Sequence, residues 1–150
     1  MDWLIGIFTN PYLMTSISSW FIAQVLKVII NAIVNKKLDF ERLVGDGGMP
    51  SGHSATVTSL ATITALLCGP ASFQFAMAAV FAIVVCHDAT GVRHETGKQA
   101  KMLNEIIQIL DSKDLPEVKL KELVGHTPLQ VLMVILIGIA NACFVYFVFL

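Results

Sequence analysis

The side chains best suited to chemistry fall in three short polar clusters. The first is Gly47-Gly48-Met49-Pro50-Ser51-Gly52-His53-Ser54, the second His87-Asp88-Ala89-Thr90-Gly91-Val92-Arg93, and the third Gly125-His126-Thr127-Pro128. A glycine-rich turn running into a helix presents unpaired backbone N–H groups and the positive end of the helix dipole, which together attract an anion. With two histidines and an arginine beside it, that anion is best read as a phosphate. An imidazole can attack phosphorus or carry a proton, and basic side chains hold spreading charge without a metal. No group of carboxylates suggests a two-metal site, so neither a metal nor another cofactor is expected.

The elements that must position these clusters are apolar. Of 150 residues, 55% are hydrophobic and 14% charged, against roughly 25% charged in an ordinary soluble domain, and the mean hydropathy is +0.73. Four stretches are long enough to span a bilayer or nearly so: 17–34, 54–68, 71–85 and 127–150. The middle two fall short of the roughly 20 residues a span normally takes, so they borrow flanking residues or sit where protein and water replace lipid. Trp3 to Met14 reads as a short interfacial or re-entrant helix interrupted at Asn10-Pro11. The N-terminus lacks the basic region of a cleaved signal and is expected to stay in the mature protein. The expectation is one all-α domain over 1–150: an integral membrane bundle of about four transmembrane helices plus a cytoplasmic amphipathic helix. Cys68, Cys86 and Cys143 are scattered through apolar runs and read as packing residues, not as a disulfide or zinc framework.

Charge placement orients the bundle. Gly69-Pro70 is a tight turn between the second and third stretches, so the loops flanking that hairpin leave on one membrane face. Nine of the ten Lys and Arg residues lie in those two loops, and the tenth is Lys27 inside the first stretch. That face is expected to be cytoplasmic, with both termini opposite. All three polar clusters then sit at the cytoplasmic ends of spans and can meet. In the second loop Ala100, Leu103, Ile106, Ile107 and Leu110 recur at helical spacing, which predicts an amphipathic helix over the bundle mouth or the headgroups. The net charge of −1 points to no nucleic-acid partner.

At these residues the chain resembles the type 2 phosphatidic-acid phosphatase superfamily, which includes the vanadium-dependent haloperoxidases, and more closely its small divergent membrane branch. The resemblance runs from about Gln24 to Gln130. Pro50-Ser51-Gly52-His53 matches the middle block of the family pattern, while Asp88 to Arg93 and Gly125-His126-Thr127-Pro128 look like a divergent third block. It implies that His126 is the nucleophile and His53 the general acid and base. Arg93, lysines, and the Ser51 and Gly52 backbone N–H groups would hold the nonbridging oxygens. The chain departs from the pattern in three ways. About five residues usually separate the arginine from the nucleophile, whereas here the whole amphipathic loop separates Arg93 from His126. The first block has no Arg-Pro, so Lys27, Lys37 and Arg42 compete for its role. An acid usually follows the nucleophile by four residues where this chain has Gln130, an amide that orients an imidazole but stabilises imidazolium less. Asp88 is the alternative source of that charge.

Plainer roles stand beside these. His87 and His94 read as interfacial polar residues, Arg93 by default as a membrane anchor, and the lysines from Lys113 to Lys121 as a solvated face. Lys27 within a span is a functional residue by default, with Asp88 or the phosphate as partner. Ser54, Thr58 and Thr62 form a polar stripe that must face the bundle. The function expected is hydrolysis of a membrane lipid phosphate of the phosphatidylglycerophosphate, phosphatidic acid or polyprenyl diphosphate class. The rival is a non-catalytic anionic-lipid-binding protein or small transporter on the same scaffold. A homodimer would thicken the thin wall that four short spans put around the site.

Overall fold

The computed structural model describes residues 2–36, 49–110, 120 and 125–150. Six helices follow in order: α1 (Asp2–Phe8), α2 (Pro11–Asn35), α3 (Gly52–Cys68), α4 (Phe73–Thr90), α5 (Val92–Leu110) and α6 (Pro128–Phe149). Local chemistry explains the boundaries. The Asn10 side chain accepts hydrogen bonds from the Tyr12 and Leu13 N–H groups, and Pro11 fills the first helical position, where its missing N–H costs nothing. Ser51, Ser72 and Thr127 cap α3, α4 and α6 in the same manner. Gly69, at φ 82°, ends α3 in a conformation open to glycine, and α4 begins four residues later, so the expected hairpin is present.

This is a membrane helical bundle. The stretches Pro11–Val34, Phe73–Ile109 and Pro128–Phe149 are long and apolar enough to cross a bilayer. Helix α3, with 17 residues, is about 26 Å long and sits at the centre, packed by α2, α4 and α6. The outer surfaces carry exposed Phe21, Ile33, Phe81, Ile83, Leu132 and Leu136, the inverse of a soluble protein and suited to lipid.

Small and polar residues form the interior instead. On α2, Thr15, Ser16, Ser19, Gln24, Lys27 and Asn31 are buried; on α3, Ser54, Thr58, Ser59 and Thr64; on α6, Gly138 and Asn141. Asn141 donates through Nδ2 to the Thr15 carbonyl at 3.1 Å and to Ser18 Oγ at 3.0 Å, while Ser59 Oγ donates to the same carbonyl at 3.2 Å and Ser19 Oγ to the Ala55 carbonyl at 3.3 Å. A methyl group on Gly138 would come within 2.9 Å of the Ala55 carbonyl oxygen, so glycine there sets how closely α6 approaches α3. Lipid supplies no hydrophobic drive for helices to associate, and small residues with interhelical hydrogen bonds provide it.

Three boundaries differ from the sequence reading. The first long helix begins at Pro11, not Ile17, because Thr15, Ser16 and Ser19 are buried against neighbouring helices and Asn10-Pro11 is a start signal, not an interruption. The third stretch runs to Thr90 and carries Asp88 on a helix, not a loop. The amphipathic helix starts at Val92, one residue after α4 ends, and buries Gly97, Ala100 and Asn104, while Leu103, Ile106 and Ile109 stay exposed. The expected stripe Ser54, Thr58, Thr62 does face inward at Ser54 and Thr58; Thr62 is half-buried and returns its hydroxyl to the Thr58 carbonyl.

Candidate functional site

Helix α2 runs toward the site and α6 away from it. Asn141 and Thr15 are in contact, and twelve residues along each helix from that contact, about 18 Å, lie Lys27 and Leu129. Lys27 therefore stands level with the start of α6, where His126 is. Its side chain is engaged and only 5% exposed. An ammonium group buried to that extent inside a bilayer span is a functional feature by default.

The third cluster is brought to the second by direct contact. The His126 N–H donates to the Ala89 carbonyl at 3.1 Å, at the end of α4. Gly125 lies on the backbone of Arg93 and His94, so closely that a Cβ there would overlap it. The fold thus closes the long sequence gap between Arg93 and His126. His126 itself is buried. Burial, and then the charges of Lys27, Arg93, His53 and His94, push its pKa below the ordinary histidine value. A neutral imidazole at neutral pH keeps the free lone pair a nucleophile needs.

His53 is exposed on the first turn of α3, directly after Ser51 and Gly52, which are buried. The Ser51 hydroxyl accepts from the Ser54 N–H at 3.3 Å and from Ser54 Oγ at 3.2 Å. Gly52 packs against the Trp20 indole, where a Cβ would come within 3.0 Å of the ring and require it to shift, and beside the Gln24 carboxamide. The α3 N-terminus is therefore pressed against α2 one turn from Lys27.

Asp88 and Arg93 pair with each other: Arg93 Nε donates to Asp88 Oδ2 at 2.6 Å. The carboxylate thus orients the guanidinium, while Gln130 acts on backbone. Its Oε1 accepts from the Thr127 N–H at 2.9 Å, and its own N–H donates to Thr127 Oγ1, a reciprocal cap that fixes the residue after His126. Lys37 and Arg42 lie outside the described residues. Four of the candidate phosphate ligands, Lys27, Ser51, Gly52 and Arg93, fall at one end of the bundle with His53 and His126. His87 is exposed at the end of α4. His94, read from sequence as interfacial, is among the groups acting on His126; its adjacency to Arg93 was the available signal. Asn104 stands outside the sequence clusters, and Gly125 stands inside one without a role of its own; only contacts between distant segments reveal what they do.

The sequence model of the Divergent PAP2 family matches residues 8–141, which include every one of these side chains. Uncharacterized membrane protein YuiD of Bacillus subtilis (strain 168) is 43% identical over 143 residues, covering 87% of this chain and 90% of its own. No solved structure matches the chain.

Proposed function

The chain belongs to the Divergent PAP2 family, and on that premise we propose that it is a metal-independent phosphatase of membrane lipid phosphates working through a phosphohistidine on His126. The observation that carries this reading is the environment of His126: a buried imidazole kept neutral, with Lys27, Arg93 and His53 near enough to act on it. An anion held by Lys27, Arg93 and the Ser51 and Gly52 N–H groups would present phosphorus to that ring.

In the first step a ring nitrogen of His126 bonds to phosphorus as the bond to the leaving oxygen breaks, and His53 gives that oxygen its proton. In the second, His53 takes a proton from water, whose oxygen attacks phosphorus while the phosphorus–nitrogen bond breaks. Inorganic phosphate leaves and both histidines return to their starting states. The lipid tails stay in the bilayer throughout. The lysine- and arginine-rich loops favour a cytoplasmic site, suited to phosphatidylglycerophosphate, phosphatidic acid or a polyprenyl diphosphate made on the inner leaflet.

One observation favours the alternative of an anionic-lipid-binding protein without turnover. Asp88 Oδ2 is engaged by Arg93 and the Gln130 oxygen by Thr127, contacts that compete with a role for either residue as partner to His126. Phosphate release decides between the two. Purified protein in detergent, given a panel of lipid phosphates in EDTA, should release phosphate from at least one of them, and His126→Ala should not. Binding without release by the wild type would establish the alternative.

A further inference from the structure

The chain must return from the far end of α5 to that helix's own first turn, because Gly125 rests on Arg93 and His94. It is tied down on the way. The Asn104 side chain, buried on α5, donates through Nδ2 to the Leu120 carbonyl at 2.9 Å and accepts through Oδ1 from the Leu120 N–H at 3.0 Å. One carboxamide thus satisfies both polar groups of one residue, as a neighbouring strand would. The anchors at Asn104 and His94 are ten residues apart on α5, about 15 Å. Leu120 and Gly125 are five residues apart, and five residues bridge at most about 18 Å. Fixing Leu120 therefore restricts where Gly125 and His126 arrive.

We propose that Asn104 is a positioning residue for His126: by holding Leu120 against α5 it sets the approach of the catalytic histidine to Arg93. The inference rests on the reading of His126 as nucleophile, but its geometric content does not depend on turnover. It also gives α5 a task. The helix leaves α4 after a single residue, Gly91, so its first turn emerges where the bundle ends, and it holds Leu120 at Asn104 and Gly125 at Arg93 and His94. The length of chain between Arg93 and His126, a departure from the common pattern, includes α5 itself, whose Asn104 and first turn hold Leu120 and Gly125.

The test uses the full chain in lipid nanodiscs with Asn104→Ala and Asn104→Asp. Modification of His126 by diethyl pyrocarbonate, mapped by peptide mass spectrometry across pH, reports its accessibility and protonation without requiring activity. In the wild type, burial slows the reaction, and Lys27 from α2, His53 from α3, and Arg93 and His94 from α5 keep the midpoint below the ordinary value. Asn104→Ala should raise the rate several-fold and move the midpoint up. On a lipid phosphate it should lower kcat by about 10²-fold, the scale of a misplaced reacting group, with KM nearly unchanged because Lys27 and Arg93 stay in place. Asn104→Asp keeps the acceptor for the Leu120 N–H and loses the donor, so it should fall between. Wild-type reactivity of His126 in a folded Asn104→Ala or Asn104→Asp protein overturns the proposal, as does a parallel loss of kcat and bundle stability in both. A wild type that hydrolyses no lipid phosphate removes the phosphatase reading, yet the modification profile still decides the role of Asn104.

Discussion

Gly125 packs on the main chain of His94 so tightly that any side chain at Gly125 would occupy the same space as the His94 backbone. The contact joins the segment before α6 to the first turn of α5, and His126 follows it directly. Gly125→Ala should therefore push His126 away from Arg93 while leaving the α2–α3–α6 interior untouched. The expected result is a loss of kcat on the order of 10²-fold with thermal unfolding in detergent close to wild type. Unchanged turnover would mean that the contact does not place the histidine.

The sequence made the membrane bundle legible because lipid requires long apolar runs, and such runs are visible without tertiary information. Pro50-Ser51-Gly52-His53 was legible because helix-capping chemistry is local. The start of α2 is hard to read from sequence because Asn10-Pro11 serves equally as a break or as a helix start, and because Thr15 looks misplaced in a span until Asn141 and Ser59 are seen bonded to its carbonyl. Asp88 illustrates the same limit at the site: the sequence supplied a carboxylate near two basic candidates and a histidine, and only the turn from α4 into α5 assigned it to Arg93. The spacing of Gln130 from His126 suggests an orienting amide, while its spacing from Thr127 makes it part of the helix cap.

The Arg93–Asp88 pair separates orientation from stability. The two side chains are 42% and 38% exposed, and pairs so open to water contribute at most about 1 kcal/mol. Asp88→Asn should thus leave the unfolding midpoint nearly unchanged but free the guanidinium to swing. KM for a lipid phosphate should rise, and Arg93→Lys should not restore it, since an ammonium cannot reproduce the planar fork. A large loss of stability in Asp88→Asn would assign the pair a structural role instead.

The acidic limb of the activity profile should report His126. Its pKa is lowered first by burial and then by Lys27 and Arg93, so the neutral ring persists below the ordinary value of about 6.5. The sign for stability follows: folding disfavours the imidazolium, so the contribution is complete above the unfolded-state pKa and is lost as pH falls through the folded one. Lys27→Met removes one positive neighbour and should shift the acidic limb of kcat/KM upward, toward the ordinary value. A downward shift would contradict the placement of Lys27 near the ring.

Gly138 tests the bundle without touching the site. A methyl group there would lie 2.9 Å from the Ala55 carbonyl oxygen and 3.1 Å from the Ser59 nitrogen and Thr58 Cβ, and backbone atoms cannot yield as a flexible side chain would. Gly138→Ala should destabilise the bundle by about 1–3 kcal/mol, the usual cost of overpacking, and Gly138→Leu should prevent α6 from docking. Steric-trap or denaturant unfolding in micelles gives the measurement, and a neutral Gly138→Leu would show that α3 and α6 tolerate separation.

The two histidines differ in kind, because His126 would bond to phosphorus while His53 only moves protons. His126 is buried and His53 exposed, an arrangement suited to a nucleophile shielded from water and a proton carrier in reach of it. His126→Ala should abolish both turnover and an acid-labile phosphoenzyme. His53→Ala should slow turnover by the roughly 10²–10⁴-fold expected for loss of a general acid and base. That loss should shrink for an aryl phosphate, whose leaving group needs little protonation. Both variants should still bind the lipid, since Arg93 and the α3 N–H groups remain. Acid-quenched labelling with phosphate-labelled substrate, paired with rates on alkyl and aryl esters, separates the roles. A phosphoenzyme mapped to His53, or near wild-type hydrolysis by His126→Ala, would reverse the assignment, because then the buried ring beside Lys27 and Arg93 would be holding the anion and not attacking it.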